Sequence, residues 1–175
     1  MRRGGAFSRL VEPSWSVPLD TGRSARHGGR WNAAGSYGVL YLNASLAVAR
    51  LQVAHKLAGH PYGIEDLDPL EQHDLVDVQV AEAEFLDCVS EPGLHAVGLP
   101  PSYPLDARHR IVEHHVCQRV GAEAYATPLP GIACRSAATG ASVGDEELAV
   151  FDRAAAALVT ESQRRPFVEW YLAGA

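Results

Sequence analysis

One short segment constrains the fold of this chain more than any other: Gly28-Gly29-Arg30-Trp31-Asn32, followed closely by the apolar run Val39-Leu40-Tyr41-Leu42. Adjacent glycines allow a backbone to approach a ligand closely or to adopt a positive φ. The arginine beside them presents a planar set of donors that suits phosphate groups. The apolar run predicts a short buried strand, and the residues after it predict a helix over 44–57. The segment therefore predicts a loop, a strand and a helix in succession, with the guanidinium of Arg30 in the loop before the strand.

The length and composition of the chain limit the classes of protein to which it can belong. A chain of 175 residues with 47% hydrophobic and 21% charged residues is typical of one globular domain, so we expect a single domain over 1–175. The formal net charge of −6 argues against binding to nucleic acid, which requires a basic surface. No segment approaches the ~20 apolar residues that a membrane span requires. Three cysteines without paired spacing favour the cytoplasm.

The rest of the pattern predicts a mixed α+β domain. The helix over 44–57 has a predicted apolar stripe of Ala47, Leu51, Ala54 and Leu57. A second helix is predicted over 105–120, ended by Gly121. Long connections are predicted at 13–36 and 90–104, where proline and glycine are frequent. Short strands are predicted at 76–80, 125–126, 132–134, 147–151 and 158–161, with a closing segment at 166–172.

A group of histidines makes a metal site one alternative. His109, His114, His115 and Cys117 lie close together, and His114 and Cys117 would share a helix face. A structural zinc site needs four ligands, however, and no second Cys/His pair lies nearby. We therefore predict no metal and interpret these histidines as polar surface residues.

Nucleophilic catalysis is a second alternative. Ser136 has no G-x-S-x-G elbow, although Cys134 alternates with it on a predicted strand. A G-x-G-x-x-G motif after a strand is missing too, which argues against a hydride-transfer dehydrogenase. A serine after a strand is more often a turn or cap residue than a nucleophile.

The chain resembles the RES-domain family, the toxin component of bacterial toxin–antitoxin pairs whose members degrade NAD. The resemblance begins at Phe7-Ser8-Arg9, and its most specific part is the segment 28–32. It continues through 39–42 and 47–53, resumes at 130–136, and ends near 148–151 and 165–170. The family is named after an Arg, a Glu and a Ser. Arg30 and Ser136 occupy two of these places, and Gln52 stands where the Glu is expected.

The resemblance implies an ADP-ribosyltransferase-like α+β fold, with a two-sheet core, flanking helices and an NAD cleft. It implies a transferase that cleaves the nicotinamide–ribose bond of NAD, which is a substrate and not a tightly bound cofactor. The acceptor is phosphate in characterised members, giving ADP-ribose 1″-phosphate, and some relatives modify a protein instead. The resemblance also implies a hetero-oligomer with an antitoxin of the Xre, helix-turn-helix type, which would make any DNA contacts of the pair.

The parts of NAD suggest roles for the residues that carry the resemblance. Arg9 and Arg30 suit the phosphates. Trp31 or Tyr41 suits stacking on a ring or a contact with ribose. Ser136 suits a hydrogen bond to a ribose hydroxyl or a phosphate. The expected catalytic set is Arg30, Gln52 and Ser136. Arg9, Arg30, Tyr41 and Ser136 are far apart in sequence but should converge on one pocket.

Gln52 differs from the family pattern at the position where the catalytic glutamate is expected. Cleavage passes through an oxocarbenium-like transition state, which a carboxylate normally stabilises. An amide can bond ribose hydroxyls but cannot offset positive charge, so the sequence predicts a weakened or inactivated enzyme. Three explanations are open: natural divergence, a deliberately disabled form, or an acid elsewhere such as Glu65. The alternative function is a non-enzymatic module that retains an NAD-binding cleft.

Overall fold

Seven strands form one hydrogen-bonded sheet within residues 1–173, the part of the chain that the computed structural model describes. Their order across the sheet is fourth, fifth, sixth, second, first, third and seventh. Neighbours are antiparallel, apart from the parallel fourth and fifth strands. In chain order the strands are β1 (Arg2–Val11), β2 (Val39–Asn43), β3 (Asp74–Glu84), β4 (Leu86–Cys88), β5 (Gly131–Arg135), β6 (Glu146–Phe151) and β7 (Val159–Arg165).

The pairing between neighbouring strands is shortest where β1 meets β2. A single register position joins these strands, with Ser8 opposite Asn43. By contrast, β2 pairs with β6 along its whole length, and β1 pairs with β3 from Arg2 to Val11. The expected two-sheet core is therefore wrong in one respect. Strands β4, β5, β6 and β2 lie on one side of this junction, and β1, β3 and β7 lie on the other. The pairing of Ser8 with Asn43 joins the two sides into a single mixed sheet.

Helices and helical turns cover parts of this sheet and its connections. No helix within residues 1–173 has the length and apolar character needed to cross a membrane. The helices are α1 (Gly22–His27), α2 (Leu46–Leu57), α3 (Glu91–Ala96), α4 (His114–Tyr125) and α5 (Asp152–Leu158), with 3-10 turns at Ile64–Asp66 and Pro69–Glu71 and a π-helical segment at Val168–Leu172. The expected single α+β domain is confirmed.

Helix α2 confirms the predicted helix over 44–57 but not its buried face. Ser45 caps it, because the side chain accepts a hydrogen bond from the Val48 amide at 3.2 Å. The predicted stripe is wrong, since Ala47 and Ala54 are exposed. The buried residues are instead Val48, Ala49 and Val53, and the last two pack against Phe167 and Trp170 of the closing segment. This rotation turns Gln52, four residues after Val48, towards the body of the protein.

Helix α4 begins and ends later than the sequence pattern predicts. Residues 105–113 are not helical, and the helix continues through Gly121 to Tyr125. A Cβ at Gly121 would lie 1.8 Å from the carbonyl oxygen of Trp31. Gly121 is therefore needed for close contact between the helix and the loop at 28–32, and not to end the helix. The strand predicted at 125–126 is also wrong, because it is the end of α4.

The remaining strand predictions agree with the structure, with two omissions. The strands predicted at 76–80, 132–134, 147–151 and 158–161 correspond to β3, β5, β6 and β7. Strands β1 and β4 have no counterpart among the sequence predictions. The connections at 13–36 and 90–104 contain the short helices α1 and α3.

The two faces of the sheet bury different sets of side chains. Leu40, Leu42, Leu148 and Val150 contribute to one cluster, with residues of β1 and β3. The alternate residues Val39, Ala149 and Phe151 belong to a second cluster beside α4. Because successive residues of a strand point to opposite faces, the polar residues Asn43 and Glu147 share the face of this second cluster.

Candidate functional site

A cleft of about 480 Å³ lies where β1, β2, β6 and α2 come together. This is the region where one register position joins the two halves of the sheet. The cleft therefore collects side chains from parts of the chain that are far apart in sequence. Its lining includes Arg9, Trp15, Arg23, Gly28, Gly29, Arg30, Tyr41, Asn43, Gln52, His55, Lys56 and Glu147.

The two glycines of the 28–32 loop are required by its conformation. Gly28 has a φ of +74°, which favours glycine. A Cβ on Gly29 would lie 2.5 Å from the Tyr41 hydroxyl oxygen. The Asn32 side chain fixes the same loop, because its amide donates to the carbonyl oxygens of Ser24 and Tyr37 at 2.7 and 3.0 Å. The loop thus closes tightly around Tyr41.

Tyr41 supports the loop from the neighbouring strand. Its hydroxyl accepts a hydrogen bond from the Trp31 amide at 3.0 Å and donates to Asn32 Oδ1 at 2.9 Å. Burial raises the pKa of Tyr41, despite the opposing hydrogen bond from the Trp31 backbone. The Tyr41 hydroxyl therefore stays protonated and already makes two hydrogen bonds with the loop, while the side chain forms one wall of the cleft.

Removing this hydroxyl should loosen the loop. We expect Tyr41→Phe to lower the free energy of unfolding by about 1–3 kcal/mol, because the buried Trp31 amide loses its acceptor. Urea denaturation would measure the change. Tyr62→Phe is the matched control, since Tyr62 is exposed and should tolerate the same change. Equal stabilities of the two variants would contradict the bracing role of Tyr41.

Arg30 leaves the loop pointing along the wall of the cleft. Its Nη1 donates to the carbonyl oxygen of Val112 at 3.2 Å and lies 3.9 Å from Cys117 Sγ. These contacts tie one side of the half-buried guanidinium to the start of α4. The same side chain lines the cleft, and a guanidinium group is well suited to bind an anion there.

Arg9 places a second positive charge in the cleft, in an unusual environment. Only 8% of the residue is exposed. Its Nη2 donates to the carbonyl oxygen of Asp20 at 3.1 Å, whereas Nη1 is buried without a hydrogen-bond partner among residues 1–173. Burial lowers the pKa of Arg9 to about 10, although the charge of Asp20 opposes this change. A buried, incompletely paired guanidinium in a cleft is well suited to receive an anionic ligand.

An aromatic ring lies close to both Arg9 and a third arginine, Arg23. The Trp15 ring centroid lies 5.5 Å from the Arg9 guanidinium carbon and 5.7 Å from that of Arg23. All three residues line the cleft. Cation–π contacts of this kind hold guanidinium groups in place. This end of the cleft is therefore positively charged and carries an aromatic surface.

A carboxyl group that sequence reasoning missed lies next to Gln52. The Gln52 Nε2 donates to Glu147 Oε1 at 2.6 Å, and both residues line the cleft. Burial raises the pKa of Glu147, whereas the donor groups of Ser136, Gln52 and the Ala137 backbone and the charge of Arg30 act in the opposite direction. The sequence offered only one signal for Glu147, an acidic residue at the start of a predicted strand.

Two of the predicted site residues lie behind the cleft and do not line it. Trp31 is 1% exposed, and its Nε1 donates to Cys134 Sγ at 3.3 Å. Its indole belongs to the core beside α4 and offers no free face for stacking. Ser136 is also 1% exposed, and its Oγ accepts a hydrogen bond from the Ala138 amide at 3.2 Å. The structure thus brings Arg9, Arg30, Tyr41 and Gln52 together in the cleft, with Trp31 and Ser136 in supporting positions.

The histidine-rich region belongs to a different part of the molecule. A cleft of about 750 Å³ there is lined by His95, Asp106 and His115, and by none of the predicted site residues. Within residues 1–173, no three His, Cys, Asp or Glu side chains are grouped closely enough to hold a metal ion. All three cysteines of the chain are free and buried.

Comparisons with known proteins agree with this fold and its sequence motifs. The chain is similar in structure to the toxin MbcT in the crystal structure of the M. tuberculosis MbcT–MbcA toxin–antitoxin complex, with a TM-score of 0.77 and 18% sequence identity. The match covers 97% of this chain and 88% of the other. No curated protein has a matching sequence. The model of the RES domain, however, matches residues 7–168, nearly the whole chain, and this protein therefore belongs to the RES-domain family.

Proposed function

We propose that this protein is the toxin of a bacterial toxin–antitoxin pair and that it degrades NAD by cleaving the nicotinamide–ribose bond. The observation that carries the proposal is Arg9, a buried guanidinium that lines the cleft and whose Nη1 has no hydrogen-bond partner among residues 1–173. A cationic group in this state is stabilised by an anionic ligand. Arg30 lines the same cleft, so two arginines are available for the pyrophosphate of a dinucleotide.

The chemistry requires few protein groups. The bond between the anomeric carbon and the pyridinium nitrogen breaks, and its electron pair neutralises the nitrogen, so neutral nicotinamide leaves. The ribose carbon becomes cationic in the transition state. An oxygen of a phosphate dianion then bonds to that carbon and gives ADP-ribose 1″-phosphate. Arg9 and Arg30 would hold the substrate, while Tyr41 forms one wall of the site.

The proposed partner is an antitoxin protein of the helix-turn-helix type. MbcT was crystallised with its antitoxin MbcA, which supports the same kind of assembly for this chain. The net charge of −6 leaves DNA binding to the partner. We further propose that the pair acts in the bacterial cytoplasm, where NAD is available and where the three free cysteines would stay reduced.

Nicotinamide release from NAD tests the proposal directly. We expect the purified chain to convert NAD to nicotinamide and to ADP-ribose 1″-phosphate in phosphate buffer, and to react more slowly in a buffer without phosphate. Chromatography of the products would identify the acceptor, and a labelled protein would reveal transfer to a side chain instead. NAD binding without any release would show that the protein is a non-enzymatic binding module. Failure to bind NAD at all would overturn the proposal.

A further inference from the structure

We infer that Glu147 supplies the carboxylate that faces the reacting ribose, and that Gln52 positions it. This assignment rests on the proposed function and deepens it. It replaces the expectation that an amide at position 52 leaves the site without negative charge, because the cleft contains a carboxyl group 2.6 Å from that amide.

The fold places Glu147 where such a group is needed. Glu147 is the second residue of β6 and lies opposite Asn43 of β2 and Cys134 of β5. Partners across a sheet share a face, so its side chain is directed to the same side as Asn43, a cleft residue. The preceding residue, Glu146, points to the other face, where Arg3 Nε donates to it at 2.8 Å. Only one of these two consecutive acids therefore belongs to the cleft.

The neighbours of Glu147 fit a carboxylate. Gln52 presents its NH₂ group, which can only donate, to Oε1. The Ser136 hydroxyl and the Ala137 backbone N–H also favour the charged form, as does the positive charge of Arg30. Burial raises the pKa of Glu147, and these donors, together with the charge of Arg30, oppose that effect. Ser136, which does not line the cleft, thereby acquires a role as a support for Glu147.

This arrangement gives Gln52 a reason to be an amide. A glutamate at position 52 would place two carboxylates within hydrogen-bond distance, and such pairs share one proton because both cannot remain charged. The amide instead donates to Glu147, so the Glu147 carboxyl group has no second carboxylate at position 52 to share a proton with. Positive charge that develops at the anomeric carbon, as the electron pair leaves with nicotinamide, would be stabilised by the Glu147 carboxylate.

The first test compares two adjacent glutamates. We expect Glu147→Gln to lower kcat for nicotinamide release by about a hundredfold or more, because preorganised charge acts mainly on the transition state. The Kd for NAD should change by less than about fivefold, since ground-state contacts persist. Glu146→Gln is the matched control: it removes the same charge from the opposite face of the strand and should leave kcat unchanged. Thermal unfolding would verify that both variants fold.

The second test exchanges the two groups. We expect kcat of the double variant Gln52→Glu with Glu147→Gln to be at least tenfold higher than kcat of Glu147→Gln alone, because the exchange restores one carboxylate beside one amide. A merely structural pair would show no such rescue of kcat, even if the exchange restored the melting temperature.

The outcomes separate this assignment from the proposed function. A native chain that turns over NAD while Glu147→Gln retains kcat within threefold would overturn the assignment and leave the proposed function intact. An inactive native chain that Gln52→Glu alone activates would also overturn it, since the missing charge would then belong to position 52. If the native chain and every variant fail to release nicotinamide, the proposed function fails and the assignment fails with it.

Discussion

Alanine in place of Gly121 should destabilise the protein by about 3 kcal/mol or more, a large effect for one methyl group. By helix propensity alone, the change would stabilise α4 by about 1 kcal/mol. The added Cβ would, however, lie 1.8 Å from the Trp31 carbonyl oxygen, far inside van der Waals contact. Either α4 or the loop at 28–32 must move, and both contribute to the core.

The same displacement should reach the cleft. The loop that collides with the new methyl group carries Arg30, whose guanidinium is tied to the start of α4 through Val112 and Cys117. We therefore expect Gly121→Ala to weaken NAD binding as well as stability.

Thermal unfolding measures the first effect, with an expected fall in Tm of about 6–12 °C for a loss of 3 kcal/mol in a chain of this size. Ala122→Gly is a suitable control, because it makes the reverse change at the next, exposed position and should cost only about 1 kcal/mol. An unchanged or raised Tm for Gly121→Ala would mean that α4 does not approach the loop so closely.

Gly121 also shows why part of the fold could not be predicted from the sequence. Glycine after a helical pattern commonly marks a helix end, and that interpretation placed the end of α4 too early. The actual reason is a tertiary contact with a loop some ninety residues earlier in the chain. Strand β1 was missed because Gly4 and Gly5 interrupt any regular alternation there. Strands β3, β5 and β6 were predictable because their apolar residues are contiguous or strictly alternate.

The site was predictable to a similar extent. Arg9, Arg30, Tyr41 and Ser136 were expected to converge, but Ser136 lies behind the cleft. The structure places Arg9, Arg30 and Tyr41 around one cleft, together with Gln52. Their residue types and motif positions sufficed, because function restricts which residues occupy such positions. Glu147 was not predictable, because whether a residue at the start of a strand faces solvent, core or cleft depends on its register with neighbouring strands. Trp31 shows the opposite error, since an aromatic residue in a functional motif can belong entirely to the core.

Arg9 allows a prediction in which stability and binding change in opposite directions. In the free protein its guanidinium is buried with Nη1 unpartnered among residues 1–173, which is an unfavourable state for a charged group. Methionine has a similar length without the charge. We expect Arg9→Met to leave the free energy of unfolding unchanged or to raise it by about 1 kcal/mol, as replacements of poorly compensated buried charges often do.

NAD binding should respond in the other direction. If Arg9 donates to a phosphate of the substrate, its loss removes a charge-assisted hydrogen bond in a desolvated site, and the Kd for NAD should rise by about a hundredfold, equivalent to roughly 3 kcal/mol. Calorimetric titration and urea denaturation of the same samples would measure both quantities. Arg26→Met is the matched control, because Arg26 is exposed on α1 and does not line the cleft, so both quantities should stay near their native values. A variant that loses stability and affinity together would show that Arg9 serves mainly to hold the Asp20 carbonyl and the loop around it. Unchanged or higher stability together with weaker NAD binding would show that the protein maintains this buried charge for its ligand.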